Sequence, residues 1–209
     1  MKILFFMTLC ATAQMFAQHT VPFASKNNSL ELHIRNSSAV EAEKTTIELA
    51  SPPSWLHFTT TTQTIGTLKA QQSSAILFPF SVDKTAPVNL PLNLTFSVHS
   101  ATGEKWTKQV SFQVSPPDHF ELYQNYPNPF NPSTTISYLL PQDTRVILKI
   151  YNSIGQEVKT LVNDDRSAGY HQEVWNASNV ASGMYIYQIT INNQQGKKEF
   201  YRRKMLVVK

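Results

Sequence analysis

Tyr126-Pro-Asn-Pro-Phe-Asn-Pro-Ser-Thr-Thr-Ile136 is the stretch on which the reading of this 209-residue chain turns. Its three prolines fix φ, remove backbone donors and push each preceding residue out of the helical region, which predicts an extended, semi-rigid strap. Directly after it, Ser133 to Leu140 alternates, with Ile136, Tyr138 and Leu140 on one face, which predicts a strand. One β-rich unit ends before this strap and a second begins with it.

Downstream, Val146, Leu148 and Ile150 line one face of a further strand, and Asn152-Ser-Ile-Gly155 supplies a hairpin turn in which Gly155 can take a positive φ. After Gly183, the residues Tyr185, Tyr187, Ile189 and Ile191 form an almost wholly apolar face. Burying each such side chain contributes roughly 1.5–3 kcal/mol, enough for a unit of about 90 residues to fold alone. The strap is followed in order by Lys149-Ile-Tyr-Asn-Ser-Ile-Gly-Gln-Glu-Val-Lys-Thr-Leu161, Ala168-Gly-Tyr-His171, Trp175-Asn-Ala-Ser178, Ala181-Ser-Gly-Met-Tyr-Ile-Tyr187 and Lys204-Met-Leu-Val-Val-Lys209.

On these blocks the last two fifths of the chain resembles the C-terminal sorting domain (type A) of proteins exported by the type IX (Por) secretion system of Gram-negative bacteria. The resemblance implies an immunoglobulin-like sandwich recognised by the outer-membrane translocon, removal by the associated sortase, and attachment to anionic surface lipopolysaccharide. One departure is Glu173, two residues before Trp175, where such domains usually carry an apolar residue.

Upstream, Leu30, Leu32 and Ile34 alternate strictly with Glu31, His33 and Arg35, the pattern of a half-buried strand, and Thr45 to Leu49 repeats it. Ser51-Pro-Pro-Ser-Trp-Leu-His-Phe58 interrupts the pattern with prolines that forbid central-strand pairing, then offers Trp55, Leu56 and Phe58 as core anchors. Further strands are expected over Ser74 to Val82, Leu92 to His99 and Lys105 to Val114, separated by Asp83-Lys-Thr-Ala-Pro87 and Ala101-Thr-Gly-Glu104. Short alternating strands at this spacing predict a β-sandwich of immunoglobulin type. The arrangement of Asn36, Pro52-Pro-Ser-Trp55, Phe80-Ser-Val82, Ala86-Pro87 and Thr95-Phe-Ser-Val98 is also similar to accessory sandwich modules of secreted glycosidases and surface proteins.

Residues 1–17 carry the pattern of a secretory signal peptide: Lys2 opens it, Ile3 to Leu9 is apolar, and Ala11, Ala13 and Ala17 are small residues suited to cleavage. A lipoprotein reading at Cys10 is set aside because Leu9 precedes it. Cys10 is the only cysteine, so removal of the leader leaves neither a disulfide framework nor a thiolate for zinc or nucleophilic chemistry. Only 15% of residues are charged and 41% are hydrophobic, with many Thr, Ser, Val and Ile. This composition favours β-structure throughout.

The sequence offers little for catalysis: no G-x-S-x-G, no H-E-x-x-H and no glycine-rich phosphate loop. Its six histidines, at 19, 33, 57, 99, 119 and 171, are scattered, and Glu41, Glu43 and Glu121 lack the context of a glycosidase pair. No cofactor and no metal site are expected. Asn163-Asp-Asp165 supplies oxygen donors of the kind Ca²⁺ takes in a loop, but is more ordinary as a polar turn. N-x-S/T triplets at Asn27, Asn36, Asn93 and Asn176 read as turn and cap residues. Among the tryptophans, Trp106 is the candidate ligand-facing aromatic, since it lies between Lys105 and Thr107 beside a turn.

Charge is concentrated at one end. From Lys197 to Lys209 six basic residues face one acidic, a local +5 in a chain of net +4, so the remainder stands at −1. Nucleic-acid binding would need a wider basic footprint with stacking aromatics and is excluded. The cluster reads either as an edge strand guarded by Lys and Arg or as a docking strand, and the candidate sorting residues are Arg202, Arg203, Lys204, Met205, Leu206, Val207, Val208 and Lys209.

The expected architecture is therefore all-β, two immunoglobulin-like antiparallel β-sandwiches in tandem. Residues 1–17 form a signal peptide, 18–115 a sandwich passenger, 116–125 a proline-stiffened linker and 126–209 the sorting domain. The expected product is a non-enzymatic secreted or cell-surface protein that reaches its destination through the periplasm. Its partners are the type IX translocon and sortase, lipopolysaccharide, and a glycan or protein ligand of the first unit. The alternative is a carbohydrate-binding or adhesin module accessory to a secreted hydrolase.

Overall fold

The computed structural model describes residues 2–8, 19–101, 105–193 and 195–209, and every described element is a β-strand. The signal-peptide expectation falls partly outside them, since residue 1 and the cleavage candidates in 9–17 are not described. The chain divides after Ser115 into two compact units.

The first unit holds β1 (Lys2–Thr8), β2 (His19–Val21), β3 (Asn28–Arg35), β4 (Ala42–Ala50), β5 (Leu56–Phe58), β6 (Thr62–Leu68), β7 (Ser73–Val82), β8 (Pro91–His99) and β9 (Lys105–Val114). One sheet runs β1-β3-β7-β5 and the other β2-β9-β8-β4-β6. Leu30, Leu32, Ile34, Ile47, Phe78, Phe96 and Phe112 fill the space between them, and none is more than 1% exposed. Phe78 and Phe96 bring their rings from opposite sheets to 5.2 Å. Each of these residues sits at the inward parity of its strand, which is why the alternation in sequence suffices to place it. Pairing is not wholly antiparallel: β1 runs parallel to β3, and β2 parallel to β9. The second case arises because the chain changes sheet between β2 and β3, so β2 meets the last strand of the unit rather than its neighbour in sequence.

The second unit holds β10 (Glu121–Leu122), β11 (Ser133–Leu140), β12 (Thr144–Asn152), β13 (Glu157–Arg166), β14 (Gly169–Asn176), β15 (Gly183–Asn192) and β16 (Lys198–Val207), in sheets β10-β11-β14 and β13-β12-β15-β16. All strand pairings here are antiparallel. Ile136, Tyr138, Leu140, Val146, Leu148, Ile150, Tyr187 and Ile189 are fully buried. The β12–β13 hairpin turns at Gly155, φ 82°, where the Asn152 side chain accepts from the N–H groups of Ile154 (3.2 Å) and Gln156 (2.9 Å). That arrangement needs a residue that takes positive φ without strain.

Asn163-Asp-Asp165 lies in strand β13 rather than in a turn. Arg145, across the β12–β13 ladder, donates to the Asn163 carbonyl (2.8 Å) and side chain (3.0 Å) and lies 3.9 and 3.7 Å from the Asp164 and Asp165 carboxylates. A guanidinium thus stands beside the oxygens that a cation would have to gather. Glu173 is accommodated in a similar way. Strand parity turns it inward, and Arg166 at the end of β13 meets it at 3.0 Å, closing the seam between the two sheets.

Candidate docking site: the proline strap and the terminal strand

The strap of residues 123–132 leaves β10, crosses from one sheet of the second unit to the other, and lies against the C-terminal half of β16. Its three X-Pro bonds, at 127, 129 and 132, are cis. Asn125 anchors its start. The buried Asn125 amide donates to Thr134 Oγ1 (2.9 Å) and the Pro127 carbonyl (3.1 Å), while its backbone N–H donates to the Tyr187 hydroxyl (3.0 Å). That hydroxyl in turn donates to the Tyr123 carbonyl (2.7 Å). Burial pushes the Tyr187 phenol up from 10.0 to about 12, so it remains a neutral donor and acceptor at any ordinary pH.

The strap then takes over hydrogen bonding along β16. Gln124 donates to the Lys204 carbonyl (2.8 Å), and the Leu206 N–H donates to Asn128 Oδ1 (2.9 Å). The Phe130 N–H donates to the Leu206 carbonyl, and the Phe130 carbonyl accepts from the Val208 N–H, each at 3.1 Å. Phe130 itself is 1% exposed and packs on Trp175 (ring centroids 5.5 Å), which packs edge-on against Tyr185 (5.4 Å). Ala177 N–H closes on the Pro132 carbonyl at 2.8 Å. Strap, Trp175-Asn-Ala-Ser178, Ala181–Tyr187 and the final strand therefore meet around one aromatic cluster, the strap joining it from more than 40 residues upstream of Trp175.

The candidate sorting residues divide by strand parity. Met205 and Val207 point into the core at 1% exposure each, and Leu206 and Val208 point out at 42%. Arg202 is exposed and donates to Gln188 Oε1, and Lys204 is exposed. Arg203 differs from its neighbours: its Nε donates to the Leu122 carbonyl at 2.6 Å, tying β16 to β10. Lys209 donates to the Ser178 carbonyl at 2.8 Å. No local pattern in the sequence announces the Arg203 tie, since its partner is a backbone oxygen 81 residues away.

Trp106 is partly buried. On β9 it shares inward parity with Val110 and Phe112 and packs against the first unit's core, as Trp55 does. Its direction follows from its parity along the strand. Of the histidines, His171 stacks on Tyr138 (5.2 Å, 20°) with Nε2 2.7 Å from the Ser167 carbonyl, a packing role. Among the described residues no group of three or more His, Cys, Asp and Glu is placed to hold a metal ion.

The second unit also has a cleft of about 370 Å³ lined in part by Asp118, His119, Phe120, Gln142, Glu199 and Tyr201. Glu199 is occupied within it, one oxygen accepting from the Tyr201 hydroxyl (2.6 Å) and the other from Asn193 (2.9 Å). Those bonds hold its carboxyl below the usual range. Phe120 and Tyr201 cover each other at 4.3 Å.

Comparison with known proteins points to the same unit. No curated protein sequence matches the chain. Solved structures to which the chain is similar include dimeric latent PorU from Porphyromonas gingivalis (16% identity, TM-score 0.37), covering 94% of this chain, which spans 19% of that one. The CupB2 chaperone of Pseudomonas aeruginosa matches at 7% identity and TM-score 0.32 over 91% of this chain and 98% of its own. The calcium binding domain CBD12 of CALX1.1 matches at 10% and 0.35 over 84% and 77%. The family model described as "Secretion system C-terminal sorting domain" matches residues 124–202, from the strap into the basic segment of β16. Residues 124–202 are a secretion system C-terminal sorting domain of the type IX kind.

Proposed function

We propose that this is a non-enzymatic exported protein whose second unit is an address and whose first unit is the cargo. The sorting domain over 124–202 carries the reading: such a domain implies engagement with the type IX machinery and passage across the outer membrane to the surface or beyond. Residues 1–17 supply the earlier step into the periplasm. The side chains needed for docking belong to the strap and to the outward row of β16, while Met205 and Val207 hold that row in place from the core side. The sortase and lipopolysaccharide steps follow from the family alone. For the first unit, both tryptophans turn toward its own core, so the geometry favours a scaffold or spacer over a glycan-stacking module.

The test is a chain ending at Pro117, expressed in a type IX-competent cell and followed by fractionation and surface proteolysis. It should accumulate in the periplasm while the full chain reaches the surface. Surface delivery of the truncated chain would overturn the assignment. Removing residues 2–17 should instead stop the full chain in the cytoplasm.

A further inference from the structure

β16 is the outer strand of its sheet, and the strap covers only half of it. The bonds from the strap reach Lys204 O, Leu206 N and O, and Val208 N, so even-numbered residues of this strand direct their backbone groups outward. Phe200 and Arg202 stand in the same row, and among the described residues no strand or strap bonds to their backbone from that side. The open half is straight: the β15–β16 ladder runs from Gly183↔Val207 to Asn192↔Lys198 without a register shift, and the strand contains no proline. Two of the usual devices for blunting an edge, a bulge and a proline, are therefore missing.

The third device, charge, is present and is directional. Lys198, Phe200, Arg202 and Lys204 project on one face of the strand, with Phe200 59% exposed among the cations. Glu199, the one acidic residue of β16, is held by Tyr201 and Asn193. Pairing β16 with its counterpart in a second copy would set cations against cations, which is unfavourable, whereas carboxylates opposite the same positions are favourable. We infer that the open half of β16, Lys198 to Lys204, is a docking edge for an extended acidic segment of a partner protein. The segment adds as a fifth strand, its carboxylates at alternate positions facing Lys198, Arg202 and Lys204 and an apolar residue facing Phe200. Main-chain bonds to Phe200 and Arg202 supply the attachment and the charges set the choice of partner. This deepens the sorting reading, and rests on it only for which cellular protein carries the segment.

The probe is a labelled synthetic peptide, Glu-Thr-Val-Thr-Glu-Thr-Glu, titrated against the full chain by fluorescence anisotropy. Its companions are a Lys-for-Glu version and two versions N-methylated at alternate amides, one set for each edge of the peptide strand. The Glu peptide should bind and weaken with salt, and the Lys version should not bind. One N-methylated set should lose about tenfold or more in affinity while the other keeps it, because only one edge of the peptide can bond to β16. Amide exchange at Phe200 and Arg202 should slow in the complex. Equal binding by both N-methylated sets would show mere charge attraction, and binding by the Lys peptide or by none would equally overturn the inference. None of these outcomes touches the sorting assignment, which the Pro117 truncation tests separately.

Discussion

Replacing Tyr187 by Phe removes one oxygen atom from a fully buried position and should loosen the strap at its root. The hydroxyl serves two backbone groups, accepting from Asn125 N–H at 3.0 Å and donating to the Tyr123 carbonyl at 2.7 Å. Phenylalanine keeps the ring, so the loss is confined to two main-chain groups left without their partner in a buried place. Each such group costs about 1–3 kcal/mol, giving about 2–4 kcal/mol with partial relief from water entering beside Tyr123. For a unit of about 90 residues that is a fall in Tm of roughly 10–25 °C. Urea titration of the fragment 116–209 reads this directly, because Trp175 is the only tryptophan in it and touches the strap through Phe130. Tyr185→Phe is the matched control: its hydroxyl donates to the Ala181 carbonyl at 2.9 Å at the partly open end of β15, and its loss should cost about 1 kcal/mol. If Tyr187→Phe costs no more than that control, the strap is not held through this hydroxyl.

Alkaline titration should destabilise the second unit between pH 10 and 12, since burial pushes Tyr138 and Tyr187 up from 10.0 to about 12. The unfolded chain releases these protons first, so stability is full below pH 10 and falls as the pH rises; a flat urea midpoint across that window would refute the shift. Arg166→Ala should destabilise the unit by about 1–3 kcal/mol by leaving Glu173 unpaired at the seam, whereas Arg166→Leu with Glu173→Val should be neutral or stabilising, as thermal melts would show. Arg202→Glu with Lys204→Glu, sparing Arg203 for its bond to Leu122, should melt within about 0.5 kcal/mol of the parent yet be retained in the periplasm. Normal surface delivery of that folded variant would reduce the cations to guards of a strand edge.

Strand parity was legible from the sequence wherever apolar and polar residues alternate, as in Leu30, Leu32 and Ile34 or Tyr185 to Ile191, because period two leaves one choice of inward face. The same rule places Trp106 on the face of β9 that carries Val110 and Phe112. The strap was legible as extended, but not the edge on which it lies, since prolines fix local dihedrals and say nothing of a partner some 75 residues on. The partners of Arg203, Glu173 and Arg145 were hidden for a related reason. A charge in sequence does not announce whether a carbonyl, a carboxylate or water will meet it, and only the packed sheets bring Leu122, Arg166 and Asp165 within reach.

The clasp between Phe130 and Val207 joins the beginning of the sorting unit to its end. During synthesis the strap leaves the ribosome long before the strand it must close upon, and no shorter chain can supply Leu206 and Val208 to Phe130. Closure is thus a long-range event: the strap latches only once the sheet that carries β16 is in place, so a lesion anywhere in that sheet is felt at the first strand of the unit as well.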